Sequence, residues 1–154
     1  MGSRFAALLI AAVFAPASAL AACDAGTLWL RGDFGNARFN VTVADDAGER
    51  ARGLMHVESM PASTGMLFVY ERPQRVAFWM KDTLIPLDMI FADENGVVRK
   101  VHHRAEPGSW KSIPGGDAIQ YVLEINGGLA QQLGIAVGTQ MQHPAIADPA
   151  WPCP

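Results

Sequence analysis

The chain lacks most of the motifs that announce a chemistry. Its two cysteines, Cys23 and Cys153, stand far apart and form no zinc-type pair. There is no phosphate-cradling glycine loop and no HExxH motif. Ser59, Ser63, Ser109 and Ser112 lie in no recognisable nucleophile turn, and Cys153 sits in a proline-rich tail that would position a nucleophile poorly. Twelve basic against 15 acidic residues give a formal net charge of −3, too little positive charge for a nucleic-acid footprint. No second long apolar run follows the first 22 residues. No motif calls for a cofactor.

What is present begins with an export signal. Arg4 supplies a positive n-region, and Phe5 to Phe14 form an uncharged apolar stretch. That stretch is shorter than the roughly 20 residues a spanning helix needs. Pro16, Ala17 and Ser18 interrupt it, and small residues lead to Cys23. Residues 1–22 are therefore expected to be removed, and the protein to act in the periplasm or at the cell envelope. Two fates are open to Cys23. Leu20-Ala21-Ala22-Cys23 fits a bacterial lipoprotein box, in which the cysteine carries a lipid, and Asp24 after it resembles an inner-membrane retention signal. Ala19-Leu20-Ala21 fits ordinary signal peptidase instead, and an oxidising compartment would then allow a Cys23–Cys153 disulfide. Both fates use the same sulfur, so they exclude each other. A lipid on Cys23 would be the one link to a membrane. Without residues 1–22 the chain has 132 residues and a formal charge of −4, since Arg4 is the one charged residue lost; that length suits one domain.

Short alternating runs separated by turn residues dominate the mature chain. Thr27 to Arg31 is a predicted first strand, and Phe39, Val41 and Val43 share one face of the next. Met66 to Tyr70 and Val76 to Met80 are almost continuously apolar, as strands buried on both sides are. In the run from Ile85 to Phe91, Ile85, Leu87, Met89 and Phe91 face one way and Asp88 and Ile90 the other. Asp93-Glu-Asn-Gly96 is a turn, and Val97 to His102 returns. The prolines and glycines between 104 and 118 predict a loop. Ile119, Tyr121, Leu123 and Ile125 are expected inward on one strand, and Thr139 to His143 is a last strand. Asp46 to His56 and Leu129 to Leu133 are the helical candidates. About eight strands and one or two short helices predict a mainly β domain, a single sandwich or barrel. Residues 23–36 are expected to hold an N-terminal linker and the first strand, 37–146 the β domain, and 147–154 a proline-rich tail.

Five motifs in order carry a family resemblance: Arg52-Gly53-Leu54-Met55, Gly65-Met66-Leu67-Phe68-Val69, Phe78-Trp79-Met80-Lys81-Asp82-Thr83, Ile85-Pro86-Leu87-Asp88, and Val122-Leu123-Glu124-Ile125-Asn126-Gly127-Gly128. The chain from about 37 to 146 resembles the domain of unknown function 192 family. That family usually has Asn at the position of Asp82 and often a basic residue where this chain has His56-Val57. The resemblance implies a small jelly-roll-like β-sandwich and no particular activity.

The same motifs supply the candidate site. Asp88 stands in an apolar strand, where a carboxylate is costly unless hydrogen-bonded. It is expected either to pair with Arg52 or Lys81, to capture loop N–H groups, or to bind a ligand. Glu124 poses the same question. Trp79 and Phe78 alternate faces, so one fills the core and the other borders a groove beside Lys81 and Asp82. Gly53 suits a helix end approaching the sheet, next to the Arg52 guanidinium. Arg52, Trp79, Lys81, Asp82, Asp88 and Glu124 are thus the expected ligand-binding set of a non-enzymatic module for a small polar ligand, a saccharide or peptide. Two alternatives stand beside it. Asp88 and Glu124, if close, are the carboxylate pair of a hydrolase. Met55, Met60, Met66, Met80 and Met89 with His102 and His103 are the ligand types of an exported copper protein.

Overall fold

The computed structural model describes residues 23–154. The predicted signal, residues 1–22, lies outside the described residues. In chain order the elements are β1 (Thr27–Gly32), β2 (Gly35–Ala44), α1 (Ala47–Arg52), β3 (Thr64–Phe78), β4 (Leu87–Ala92), β5 (Val98–Ala105), β6 (Ile113–Asn126), α2 (Leu129–Leu133) and β7 (Gln140–Gln142). They form one seven-stranded sheet in the order β5-β4-β6-β3-β2-β1-β7. All neighbours are antiparallel except β2 and β3, whose crossover carries α1. The sheet curls until Val97, just before β5, bridges Gln140 of β7, so its two edges meet at one end. The expected mainly β domain with two short helices therefore takes the barrel form, as a single half-closed sheet.

Strand β4 is buried on both faces, and so is the adjoining segment Tyr121–Ile125 of β6. All six residues of β4 are buried. Inside the curl, Leu67, Ile90, Tyr121, Leu123 and Ile125 pack with Leu28, Leu30, Phe39 and Val41. On the outer side, Phe68, Leu87, Met89, Phe91 and Val122 form a second layer with Val76, Met80 and Ile113. Phe78 joins this layer edge-on to Phe68 and Phe91, with ring centroids 5.0 and 5.8 Å away.

The structure differs from the sequence-based expectation at three places. Met66–Tyr70 and Val76–Met80 are not two strands. They belong to the single strand β3, interrupted by an irregularity that sets residues 70–73 against Gln120 alone. That slip moves Ile119 out of phase with Tyr121, so Ile119 lies in the outer layer rather than the inner one. The loop expected over 104–118 is shorter, because β6 begins at Ile113 and its Pro114 and Gly116 pair with Ala77 and Val76. Gly115 is there for space: a Cβ on it would stand 2.3 Å from the Phe91 ring and 2.8 Å from Val76. The first strand expected within residues 23–36 is β1, which lies inside the sheet between β2 and β7.

The two ends are fastened together. Cys23 and Cys153 form a disulfide across a sequence separation of 130, with Cα atoms 5.6 Å apart. Closing so long a loop contributes about 4–5 kcal/mol in the chain-entropy model. The Cys23 sulfur is thereby unavailable to a lipid, which corrects the lipoprotein alternative for this form of the protein. His143, buried beneath this junction, links to the Ala25 carbonyl through Nε2 at 2.8 Å and accepts the Ala145 N–H at Nδ1. The tail has no regular structure, but it is anchored by Asn95 Nδ2 donating to Asp148 O and Gln142 Nε2 donating to Pro152 O.

Candidate functional site

The site grows from the junction of α1 with the loop after β3. Asp46 caps α1 by accepting the Glu49 N–H at 2.8 Å. Gly53 ends the helix at φ +48, and a Cβ there would meet the Phe68 ring at 3.3 Å, so the glycine lets the helix end lie against the sheet. The chain then crosses to the loop after β3, where the His56 N–H donates to Asp82 O at 2.8 Å. Asp82 is left-handed, with φ +52. Asp and Asn are the non-glycine residues that tolerate this conformation best, so Asp82 suits the turn. The exposed Asp82 side chain does not line the cleft.

Between these segments lies a cleft of about 40 Å³, lined by Arg52, Gly53, Phe78, Trp79, Lys81, Thr83 and Glu124 among others. Trp79 is 46% exposed and stands edge-on to Trp110, centroids 5.4 Å apart. Lys81 Nζ lies 5.7 Å from the Trp79 ring centre and 5.0 Å from that of Trp110, within cation–π range. Sequence reasoning missed Trp110, which stands in the 106–112 loop with no periodic pattern to mark it. Glu124 sits at the cleft on the middle strand β6, opposite Met66 and Met89. Burial alone pushes its carboxyl up to about 8, with no cation or hydrogen bond of the described residues offsetting it. It is therefore a neutral acid at pH 7, able to donate and accept a hydrogen bond at once.

Asp88 lies elsewhere. It pairs with Ile125, one residue out of phase with Glu124, so the two carboxylates project from opposite faces of the sheet. Asp88 Oδ1 accepts the N–H groups of Arg104 and Gly128, both at 2.8 Å, and Oδ2 accepts that of Ala130 at 2.7 Å. It thus fastens the start of α2 and the end of β5 to β4, and of the pairings expected for it, the capture of loop N–H groups holds. Arg104 adopts φ +51 to present its N–H. The carboxylate pair of the hydrolase alternative does not form. Of the methionines in the copper alternative, Met80 and Met89 are fully buried in the outer apolar layer, with Met60 and Met66 against it. No cluster of three or more His, Cys, Asp or Glu residues able to hold a metal occurs among the described residues.

A curled seven-stranded sheet with an aromatic-rimmed cleft over a buried acid defines the class of protein, and sequence comparison gives the family. The model of the DUF192 family, described as an uncharacterized ACR, matches residues 30–143, and the chain belongs to that family. The solved structures that resemble it include the following two. A candidate transcription regulator from Sinorhizobium meliloti 1021 is 33% identical, with a TM-score of 0.75 over 77% of this chain and 93% of that one. A protein of unknown function from Novosphingobium aromaticivorans DSM 12444 is 34% identical, with a TM-score of 0.74 over 91% and 98%. No curated protein matches the chain.

Two predictions follow from the carboxylates. Asp88→Asn keeps the size but sets an NH2 group against backbone donors. It should lower stability by roughly 3 kcal/mol or more, seen as a shift of the urea midpoint; an unmoved midpoint would remove Asp88 from its structural role. Glu124 acts in the opposite sense. Its unfolded value is 4.5 and its folded value about 8, so the native state holds a proton that the unfolded chain releases. Its stabilising contribution is full below pH 4.5 and is lost as pH rises through about 8. Urea unfolding at acidic, neutral and alkaline pH should show that decline in the wild type and a flatter profile in Glu124→Gln.

Proposed function

We propose that the protein is a non-enzymatic binding module whose cleft takes the polar tip of a small ligand, a saccharide or a peptide. The observation that carries this reading is the Glu124 carboxyl, 4% exposed and facing the cleft, with no hydrogen bond to it among the described residues. A buried polar group left in that state costs stability unless something else satisfies it. The cleft volume of about 40 Å³ suits a hydroxyl, carboxyl or amide group rather than a whole ligand. Trp79 and Trp110 offer stacking surface at its mouth for the remainder. The guanidinium of Arg52 and the ammonium of Lys81 favour an anionic or strongly dipolar tip. Neither solved relative carries a ligand or reaction in its description that narrows the choice.

The test is an amide NMR titration with glycylglycine and with N-acetylglucosamine as probes. The N–H signals of Gly53, Lys81 and Thr83 should shift with one of them, and Glu124→Ala should abolish the shift. A spectrum indifferent to both probes would overturn the reading.

The location in this proposal is the periplasm or the envelope. The support is the Arg4-to-Ala22 leader pattern together with the disulfide, a bond that persists in oxidising compartments. Intact-mass measurement of the natively produced protein should give a chain beginning near Cys23, without lipid, that gains two hydrogens on reduction. A lipid adduct on Cys23, or a retained leader in a reduced chain, contradicts it.

A further inference from the structure

A second surface, remote in the sheet from the Glu124 cleft, is built like a binding site. On β1, Leu28 and Leu30 enter the inner core while Trp29 and Arg31 face outward. Arg38 of β2 and Gln142 of β7 stand directly opposite Trp29, and Asn36 and Gln140 opposite Arg31. Side chains in such cross-strand positions act as one surface. The C-terminal tail folds back beside it. The Cys23–Cys153 disulfide and the 2.6 Å hydrogen bond from Gln142 Nε2 to Pro152 O hold the tail there, and the Trp151 ring centre lies 4.5 Å from the Arg31 guanidinium carbon. The result is an open groove of about 530 Å³ with Trp29 and Trp151 in its walls.

Arg38 lines this groove and Arg31 borders it beside Trp151, and both are held in place without an ion pair. Arg31 donates from Nε and Nη2 to Gln140 Oε1, at 3.2 and 2.5 Å, and Arg38 donates to Thr27 Oγ1 at 3.1 Å. Among the described residues neither guanidinium has a carboxylate partner. Two acids also line the groove: Asp24, which is turned to the Gly26 N–H and the Thr27 hydroxyl, and the carboxyl group of Pro154. The outward face of β1 and its two neighbours thus carries Trp29, Arg31, Arg38 and neutral amides, with Trp151 of the tail beside it and the carboxylates at the groove's end near Cys23.

We infer that this groove binds a strand of acidic polysaccharide. Tryptophan rings stack on the apolar faces of sugar rings, amides hydrogen-bond to hydroxyls, and guanidiniums take carboxylates bidentately. An acidic peptide would give the two tryptophans no regular ring faces. A single-stranded nucleic acid would need a continuous track of cations along its backbone, and two arginines do not make one. Since the tail brings Trp151 to the groove, the disulfide is part of the site, and reduction removes one wall.

The experiment is native affinity electrophoresis of the oxidised protein through gels containing polygalacturonate, with dextran as the neutral polymer and a thymidine oligonucleotide as competitor. Polygalacturonate should retard the wild type and dextran should not. Trp29→Ala and the double variant Arg31→Gln/Arg38→Gln should each weaken retardation by roughly tenfold, the loss of about 1.4 kcal/mol. All of these side chains lie outside the apolar layers, and thermal melting checks that each variant is folded. Reduction should weaken binding as much as Trp151→Ala does, and Trp151→Ala decides the point where the reduced protein unfolds. Trp79→Ala should bind as the wild type, which separates this groove from the Glu124 cleft. An unretarded wild type, equal retardation by dextran, displacement by the oligonucleotide, or indifference to Trp29→Ala would each overturn the inference.

Discussion

Burial of β4 and of the Tyr121–Ile125 segment of β6 on both faces is the constraint from which the rest of the structure follows. A strand whose two sides are both apolar has no solvent side on which to place a polar residue, so any carboxylate in it must be satisfied inside the protein or carry an unfavourable burial cost. Asp88 and Glu124 stand one step out of phase on adjacent strands and meet that constraint on opposite faces. On the inner side three backbone N–H groups converge on Asp88, and through them the carboxylate fixes α2 and the end of β5. On the outer side nothing in the described chain meets Glu124, and a cleft opens there instead. One half of the pair builds the fold, and the other half builds the site.

The residues that made the architecture readable are those whose pattern reflects burial directly. Alternation in Phe39-Asn-Val-Thr-Val43 gave strand type, which holds, with Phe39 and Val41 buried and Asn40 and Thr42 exposed; the two-sided burial expected of Val76–Met80 does not hold, since Ala77 and Trp79 are exposed. The motif residues gave the family, and Phe78 and Trp79 divide between core and cleft edge as their alternation requires. What stayed hidden depended on neighbours distant in sequence. Pro114-Gly115-Gly116 has the composition of a loop, yet Gly115 is dictated by the Phe91 ring pressing on it from another strand. The irregularity in β3 that shifts Ile119 to the other layer leaves no trace in hydropathy. Asp88 and Glu124 looked alike locally, and their different roles depend on pairing register, which a single chain does not reveal.

The contrast between the two carboxylates also bears on why the cleft persists. Glu124→Gln would remove the cost of a buried ionisable group at alkaline pH, and an apolar residue would suit the outer layer of Phe68, Met89 and Val122 still better. A group kept where packing alone would disfavour it is a sign of a demand outside folding. The surroundings agree, since the ring of Trp79 and the stem and charge of Lys81 lie at the surface rather than closing over the acid. Of Phe78 and Trp79, only Phe78 is packed into the layer, and that asymmetry leaves the cleft open to solvent directly above a protonated acid.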